Sequence, residues 1–133
     1  MKAEDVKVCV VRIEGTNCED EMANAFGMVG AKAEKVHLKQ LLGQCAPELK
    51  RDLEDYDILA FPGAFSAGDY VRAGAIFAAR IKAGIGKEVR DFVEAGKPVL
   101  GVCNGFQILV ELGLLPAFNE TMADVPNAAL YNN

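Results

Sequence analysis

The sequence predicts an α/β fold of the doubly wound, flavodoxin-like type, in which a mostly parallel sheet carries helices on both faces. Short runs rich in β-branched residues alternate along the chain with segments whose apolar residues recur at helical spacing. The strand runs are apolar almost throughout, as in parallel sheets that are covered on both faces and joined by right-handed crossovers. The 133 residues, 51% hydrophobic and 25% charged, predict a single domain, residues 1–133.

The first half of the chain predicts two strands and two helical segments. Residues 6–13 form a nearly continuous β-branched run, which predicts the first strand. Helical spacing takes over in residues 19–29, and Gly30 marks the end of that helix. Residues 33–38 predict the second strand, and residues 49–53 predict a short helical piece.

The second half continues the alternation. Residues 58–61 predict the third strand, which Pro62 and Gly63 close before a glycine-rich loop. Residues 76–81 and 87–94 predict two helical segments, and Gly96 predicts a cap. The fourth strand is expected at residues 98–102 and is followed directly by a helix at residues 104–112.

Composition argues against several classes of function. The net charge of −5 disfavours nucleic-acid binding, which needs a basic surface. No apolar run is long enough to cross a bilayer, and Glu4 and Asp5 interrupt any secretion signal, so we expect a cytoplasmic protein. The four cysteines lack CxxC spacing and there is a single histidine, which supports neither a metal site nor a disulfide framework.

Three turns that are rich in glycine and polar residues each follow a predicted strand. They are GTNCE after the first strand, PGAFSAGD after the third and GVCNG after the fourth. In doubly wound sheets, ligands bind beyond the carboxyl ends of the strands. The sequence therefore predicts that the functional site lies where these three turns meet.

Cys103, within GVCNG, is the candidate nucleophile. Gly101 and Gly105 stand two positions to either side, which is typical of a sharp, strained strand-to-helix turn that exposes the central side chain. The positive end of the following helix favours a thiolate, and the backbone amide of Asn104 is placed to help hold an oxyanion. The alternative interpretation of the same residues is a glycine-rich turn of the flavodoxin type that has no catalytic role. Cys9 and Cys45 are predicted to be structural.

GTNCE, FPGAFSAGDYVRAGA, GVCNGFQIL and GLLP, in this order, resemble the class I, or triad, glutamine amidotransferases. The resemblance is to the glutaminase subunits of phosphoribosylformylglycinamidine synthase, an enzyme of purine biosynthesis, and it spans the chain from its first strand to its end. It implies that Cys103 attacks the side-chain amide of glutamine, forms a glutamyl thioester and releases ammonia. The ammonia would pass to a separate synthetase subunit that uses ATP and Mg, with no cofactor in this chain.

The resemblance also implies roles for other residues. Gly63, Ala64 and Phe65, in the loop after the third strand, correspond to the oxyanion and substrate contacts, and Gln107 corresponds to a glutamine contact. Gln107 follows Cys103 by four residues, about one helical turn, so it can face the same pocket. A solvated helix residue is the alternative interpretation of Gln107.

Two departures from the family pattern stand out. The family has a Gly-Gly pair where this chain has Gly63-Ala64, and an aromatic residue where it has Ala67. A Cβ at residue 64 would cost about 1 kcal/mol if the backbone needs a positive φ. The family's histidine base and its acidic partner follow the GLLP motif, and neither is present in these 133 residues. His37 is predicted to lie on the surface, separated from Cys103 by a central first strand.

We therefore expect the N-terminal portion of a glutaminase domain, which by itself turns over glutamine negligibly. Sheet and helix faces should remain uncovered, so a partner or self-association must cover them. One alternative is a non-catalytic module that keeps the amidotransferase fold and docks on the synthetase subunit. Another is a redox-sensing or small hydrolase domain with a cysteine on the same turn, although GFQIL and GAFSAGDY favour the amidotransferase.

Overall fold

Four parallel strands form the centre of the fold in the computed structural model, which describes residues 2–118 and 120–131. The strands lie in the order β2-β1-β3-β4, and every neighbouring pair is parallel. Helices on both faces bury the inner strands, which explains their uniformly apolar sequences. The predicted doubly wound parallel sheet is confirmed. Its strands are β1 (Lys7–Arg12), β2 (Lys32–His37), β3 (Ile58–Phe61) and β4 (Val99–Gly101).

The helices divide between the two faces of the sheet. Met22 and Phe26 of the first helix pack with Val8, Val10 and Ala60 on one face. The third and fourth helices pack together on the other face, where they build the larger core. No helix in the described residues is both long enough and apolar enough to span a membrane. The helices are α1 (Glu19–Met28), α2 (Leu38–Leu41), α3 (Ala75–Glu94) and α4 (Asn104–Leu112).

The segment before β3 differs from the prediction. Two 3-10 turns, Pro47–Leu49 and Leu53–Asp55, replace the helical piece expected at residues 49–53, so that prediction was wrong. Within these two turns only Leu53 is buried, and a single apolar anchor is too little to hold a short helix. Arg51, between the turns, instead donates from Nε to the Glu34 carboxylate at 2.8 Å.

Helix α3 is interrupted by a kink at Ile85, between the two helical segments that the sequence predicts. Its buried side chains recur every three or four residues on both sides of the kink, so both segments turn a face to the core. Only Ile85 departs from helical geometry, with φ −134°. A Cβ on Gly84 would lie 2.0 Å from Leu42 Cδ2. Gly84 therefore permits close packing of Leu42 next to the kink at Ile85. The buried residues are Phe77, Ala78, Ile81, Ile85, Val89 and Phe92.

Candidate functional site

Cys103 occupies the turn between β4 and α4 with φ 54° and ψ −114°. A positive φ is uncommon for a residue with a Cβ, and such strain concentrates at functional sites. The amide of Gly105 donates to the Val102 carbonyl at 2.8 Å, and that of Gln107 donates to the Cys103 carbonyl at 3.2 Å. These bonds hold Cys103 as the N-cap of α4 with an exposed side chain. The structure thus contains the strained strand-to-helix turn that the sequence predicts.

Two glycines allow this turn to sit directly on the sheet. A Cβ on Gly101 would lie 2.6 Å from the Gly105 carbonyl oxygen. A Cβ on Gly105 would lie 2.0 Å from the Phe61 carbonyl oxygen. Neither approach is sterically possible, so the spacing of the two glycines around Cys103 has a direct physical cause.

The turns after β1, β3 and β4 meet at the carboxyl edge of the sheet. A Cβ on Gly63 would lie 3.3 Å from Cys103 Cβ and 3.8 Å from Cys18 Sγ, so Gly63 touches the turn at Cys103. The Gly63 carbonyl accepts a hydrogen bond of 3.2 Å from the Cys18 amide. Thr16 and Ala64 form an isolated antiparallel bridge between the first two of these turns. The motifs that the sequence singled out are therefore neighbours in space.

The loop after β3 carries its backbone strain beyond residue 64. Ala67, Gly68 and Asp69 take φ values of 53°, 67° and 51° in succession. Ala64 is not among the residues with positive φ, so its Cβ is unstrained in the observed conformation. Phe65 is 70% exposed, and its amide donates to the Gly15 carbonyl at 3.4 Å. Of Ala64 and Ala67, therefore, Ala67 is the one that takes a positive φ.

The side chain of Asn104 joins this loop to α4. Its Oδ1 accepts from the Ser66 amide at 3.2 Å, and its Nδ2 donates to Asp69 Oδ1 and to Gln107 Oε1, each at 3.0 Å. Asn104 and Ser66 are the two buried polar residues in the part of the chain that the structure describes. Sequence patterns did not indicate the Asn104 side chain, Ser66 or Asp69, because their contacts span 35 and 38 residues.

Gln107 lies one helical turn after Cys103, as expected. Its side-chain oxygen is held by Asn104, and its side chain lines a shallow depression beside Val71, Arg72 and Glu111. That depression does not include Cys103. The role of Gln107 as a glutamine contact stays a prediction.

His37 lies at the end of β2, an edge strand that β1 and β3 separate from β4. Three strand spacings correspond to ~14 Å, so His37 does not reach Cys103. Its Nε2 lies 3.9 Å from the Glu14 carboxylate, and burial lowers the pKa of His37. A backbone hydrogen bond and the guanidinium of Arg80, which donates at 2.7 Å, lower the pKa of Glu14 to about 2. Together with Lys39, these residues line a separate cavity of 480 Å³.

The four cysteines have different environments. Cys9 is fully buried in β1, and burial, followed by the nearby charge of Glu34, raises the pKa of its thiol. Cys45 is half-buried in a loop, whereas Cys18 and Cys103 are exposed. Among the described residues, no group of three or more His, Cys, Asp or Glu side chains is placed to hold a metal ion.

An apolar groove of 420 Å³ adjoins the turn at Cys103. It lies between α1 and the outer part of the sheet, where Leu100 and Val102 remain 43% and 48% exposed. Its lining reaches the site at Gly63 and Val102, the neighbours of Cys103. The residues that line it are Cys18, Glu21, Met22, Ala25, Phe26, Val29, Gly63, Leu100 and Val102.

Comparisons with known proteins agree with this geometry. The profile of the family described as the CobB/CobQ-like glutamine amidotransferase domain matches residues 5–133. Subunit PurQ of phosphoribosylformylglycinamidine synthase from Archaeoglobus fulgidus is 52% identical over 136 aligned positions, which cover 100% of this chain and 50% of that protein. The same subunit from Pyrococcus furiosus is 48% identical over 111 positions, covering 84% of this chain and 44% of that protein.

A solved structure shows the same fold. The structure of PurLQS from Thermotoga maritima matches with a TM-score of 0.67 and 36% identity, covering 85% of this chain and 47% of the matched chain. The chain spans about half the length of the curated relatives it matches.

Proposed function

The chain belongs to the family of CobB/CobQ-like glutamine amidotransferase domains, and from this membership we propose that it is the nucleophile-bearing part of a glutaminase subunit. That subunit supplies ammonia for the synthesis of formylglycinamidine ribonucleotide in purine biosynthesis. The observation that carries the proposal is the position of Cys103, on a strained turn at the start of α4 and in contact with Gly63. The names of the relatives, subunits of phosphoribosylformylglycinamidine synthase, support this substrate and pathway.

In the proposed reaction, the Cys103 thiolate attacks the side-chain amide carbon of glutamine. The oxygen becomes an oxyanion, for which the amide of Asn104 and the loop at Gly63, Ala64 and Phe65 are the proposed donors. The carbon–nitrogen bond then breaks, the nitrogen takes a proton from solvent water and leaves as ammonia, and a glutamyl thioester remains on Cys103. Water hydrolyses the thioester to glutamate and restores the thiol.

The proposed partner is the synthetase subunit, which takes the ammonia and binds ATP and Mg. This chain supplies a nucleophile and backbone donors, and neither group requires a cofactor. The match to the structure of PurLQS supports a partner of this kind, because that name joins PurQ to other subunits.

A second candidate function is a docking module that keeps the fold without glutaminase chemistry. The observation that favours it is the location of His37, the single histidine of the sequence, beyond β1 and β3 from Cys103. No imidazole of this chain is therefore placed to move the proton that the leaving nitrogen needs.

Incubating the chain with a diazo-ketone analogue of glutamine distinguishes the two functions, because such an electrophile needs a glutamine site and a nucleophile but no turnover. We expect slow formation of an adduct on Cys103, detected by peptide mass spectrometry, together with negligible ammonia release from glutamine. The Cys103→Ser variant should form no adduct, whereas the matched Cys45→Ser variant should label like the native chain.

Each other outcome changes the conclusion. Absence of both adduct and ammonia would favour the docking module. Robust ammonia release that a His37→Ala substitution abolishes would show that His37 is the base after all.

A further inference from the structure

We propose that the side-chain amide of Asn104 is a positioning group that holds the loop at residues 63–69 against the nucleophile turn. This inference rests on the proposed function, because it concerns the loop that supplies the oxyanion donors. It is distinct from the role of the Asn104 backbone amide, since it concerns the side chain and acts through the loop.

The hydrogen bonds of the loop show why one side chain matters so much. On one side the loop is held by the turn after β1: the Ala67 amide donates to the Glu14 carbonyl at 2.8 Å, and the Thr16 and Ser66 hydroxyls lie 3.3 Å apart. On the other side, within the described residues, both hydrogen bonds between residues 63–69 and α4 are made by the Asn104 side chain. Asn104 is thus the polar link between the loop and the helix that carries the nucleophile.

The backbone of the loop needs an external constraint. Ala67 and Asp69 both take left-handed conformations, which are unfavourable for most residues with a Cβ. Asn104 binds Ser66 just before this left-handed run and Asp69 at its end, so it clamps the turn from both sides. Released from the clamp, the loop can relax toward ordinary backbone angles and carry Gly63 away from Cys103.

The chemistry of the site selects an amide at residue 104. The buried Ser66 amide needs an acceptor, while the carboxylate of Asp69 needs a donor. A primary amide is neutral and offers both. A carboxylate at this fully buried position would accept from Ser66 but would face the carboxylate of Asp69, and like charges repel strongly where water is excluded.

The hydrogen bond between Asn104 and Asp69 also suggests a double substitution that restores the clamp. If Asn104→Asp and Asp69→Asn are combined, the carboxylate at residue 104 accepts from Ser66 and the amide at residue 69 donates to it. Gln107 can turn its own amide to donate as well. Asparagine also tolerates the left-handed conformation at residue 69. The double variant therefore restores the clamp with its polarity reversed.

The test compares two rates of Cys103 modification in the 133-residue chain: that of the diazo-ketone glutamine analogue and that of iodoacetamide. Iodoacetamide responds to exposure and thiolate fraction alone, so the ratio of the two rates reports the geometry of the loop. Asn104→Asp removes the hydrogen bond to Asp69 and sets two carboxylates side by side. It should therefore lower this ratio by at least about tenfold. Asp69→Asn alone, which keeps an acceptor, and the double variant should both stay within about 1.5-fold of the native ratio.

A matched control is Asn24→Asp, an exposed position on α1, which should leave the ratio unchanged. An unchanged ratio in folded Asn104→Asp, or failure of the double variant to recover, would overturn the inference. If circular dichroism shows that Asn104→Asp does not fold, Asp69→Gly removes one arm of the clamp without adding backbone strain. It should then lower the ratio about threefold, and no change would overturn the inference.

Modification of Cys103 in the native chain tests the proposed function separately. If iodoacetamide modifies native Cys103 but the analogue does not, the proposed function fails and the inference that rests on it fails with it. If the analogue modifies the native chain and every variant equally, only the positioning role of Asn104 fails.

Discussion

The position of each thiol on the backbone decides its reactivity in this chain. Cys9 points into the core from β1, where burial raises its pKa and withholds the thiolate that attacks electrophiles. Cys103 is exposed at the start of α4, because Gly101 and Gly105 let the strand and helix pass close enough to push the side chain outward. One residue type thus serves packing at one position and is available for chemistry at the other.

Alkylation of the folded chain at neutral pH tests this contrast. We expect iodoacetamide to modify Cys103 faster than Cys9 by at least about 100-fold, because attack requires an accessible thiolate. Time-resolved peptide mass mapping gives the rate at each cysteine. In denaturing urea the rates at the two cysteines should converge, and equal rates in the folded protein would contradict the assigned environments.

At the scale of the elements, glycines mark close packing as well as turns. Gly84, inside α3, leaves room for the side chain of Leu42. Gly105, inside α4, leaves room for the backbone of Phe61. Gly27, inside α1, has no atom near its missing Cβ. Substituting these three glycines should therefore change the free energy of unfolding by different amounts, because the atoms around each glycine differ.

Substitution by alanine should separate two of these cases. Gly105→Ala should destabilise the fold by about 3 kcal/mol or more, because α4 must move off β3 to relieve the overlap. Gly27→Ala should stabilise it by about 0.5–1 kcal/mol, since alanine is the better helix former and meets nothing. Urea unfolding followed by circular dichroism measures both. A mild effect of Gly105→Ala would show that α4 can shift freely, against the close contact observed.

At the scale of the whole molecule, the sheet has one well-covered face and one that is partly open. Helices α3 and α4 bury the first face, but on the second face α1 covers the sheet only as far as the groove at Leu100 and Val102. The groove is almost entirely apolar, and exposed apolar patches of this kind favour association. The open part of the sheet begins beside the turn at Cys103.

We expect the 133-residue chain to self-associate through this groove. Val29 lines the groove and is 69% exposed, so Val29→Lys should weaken association by placing a charge there. Val125, 79% exposed and outside the groove, provides the matched control, Val125→Lys. Sedimentation velocity over a range of concentrations measures the effect. A native chain that stays monomeric throughout, or equal effects of the two substitutions, would show that the groove does not mediate association.

Local sequence patterns were sufficient for much of the fold. The third strand, at residues 58–61, and the helix at residues 104–112 have the predicted boundaries. The turn at Cys103 was also predictable, because a strand, two flanking glycines and a helix follow one another directly in the chain. Patterns of this kind are determined by neighbours a few residues apart, and the sequence alone displays them.

Only the tertiary structure decided the contacts that join distant segments. The sequence predicts two helical segments around residue 85, but only the structure shows that Gly84 leaves room for Leu42 beside the kink at Ile85. The link from Asn104 to Ser66 and Asp69 has no periodicity, because it spans 35 to 38 residues and depends on how β3 and β4 pair. Sequence therefore determined where the nucleophile turn and the loop begin. The pairing of strands, which brings separate turns to one edge of the sheet, determined how each constrains the other.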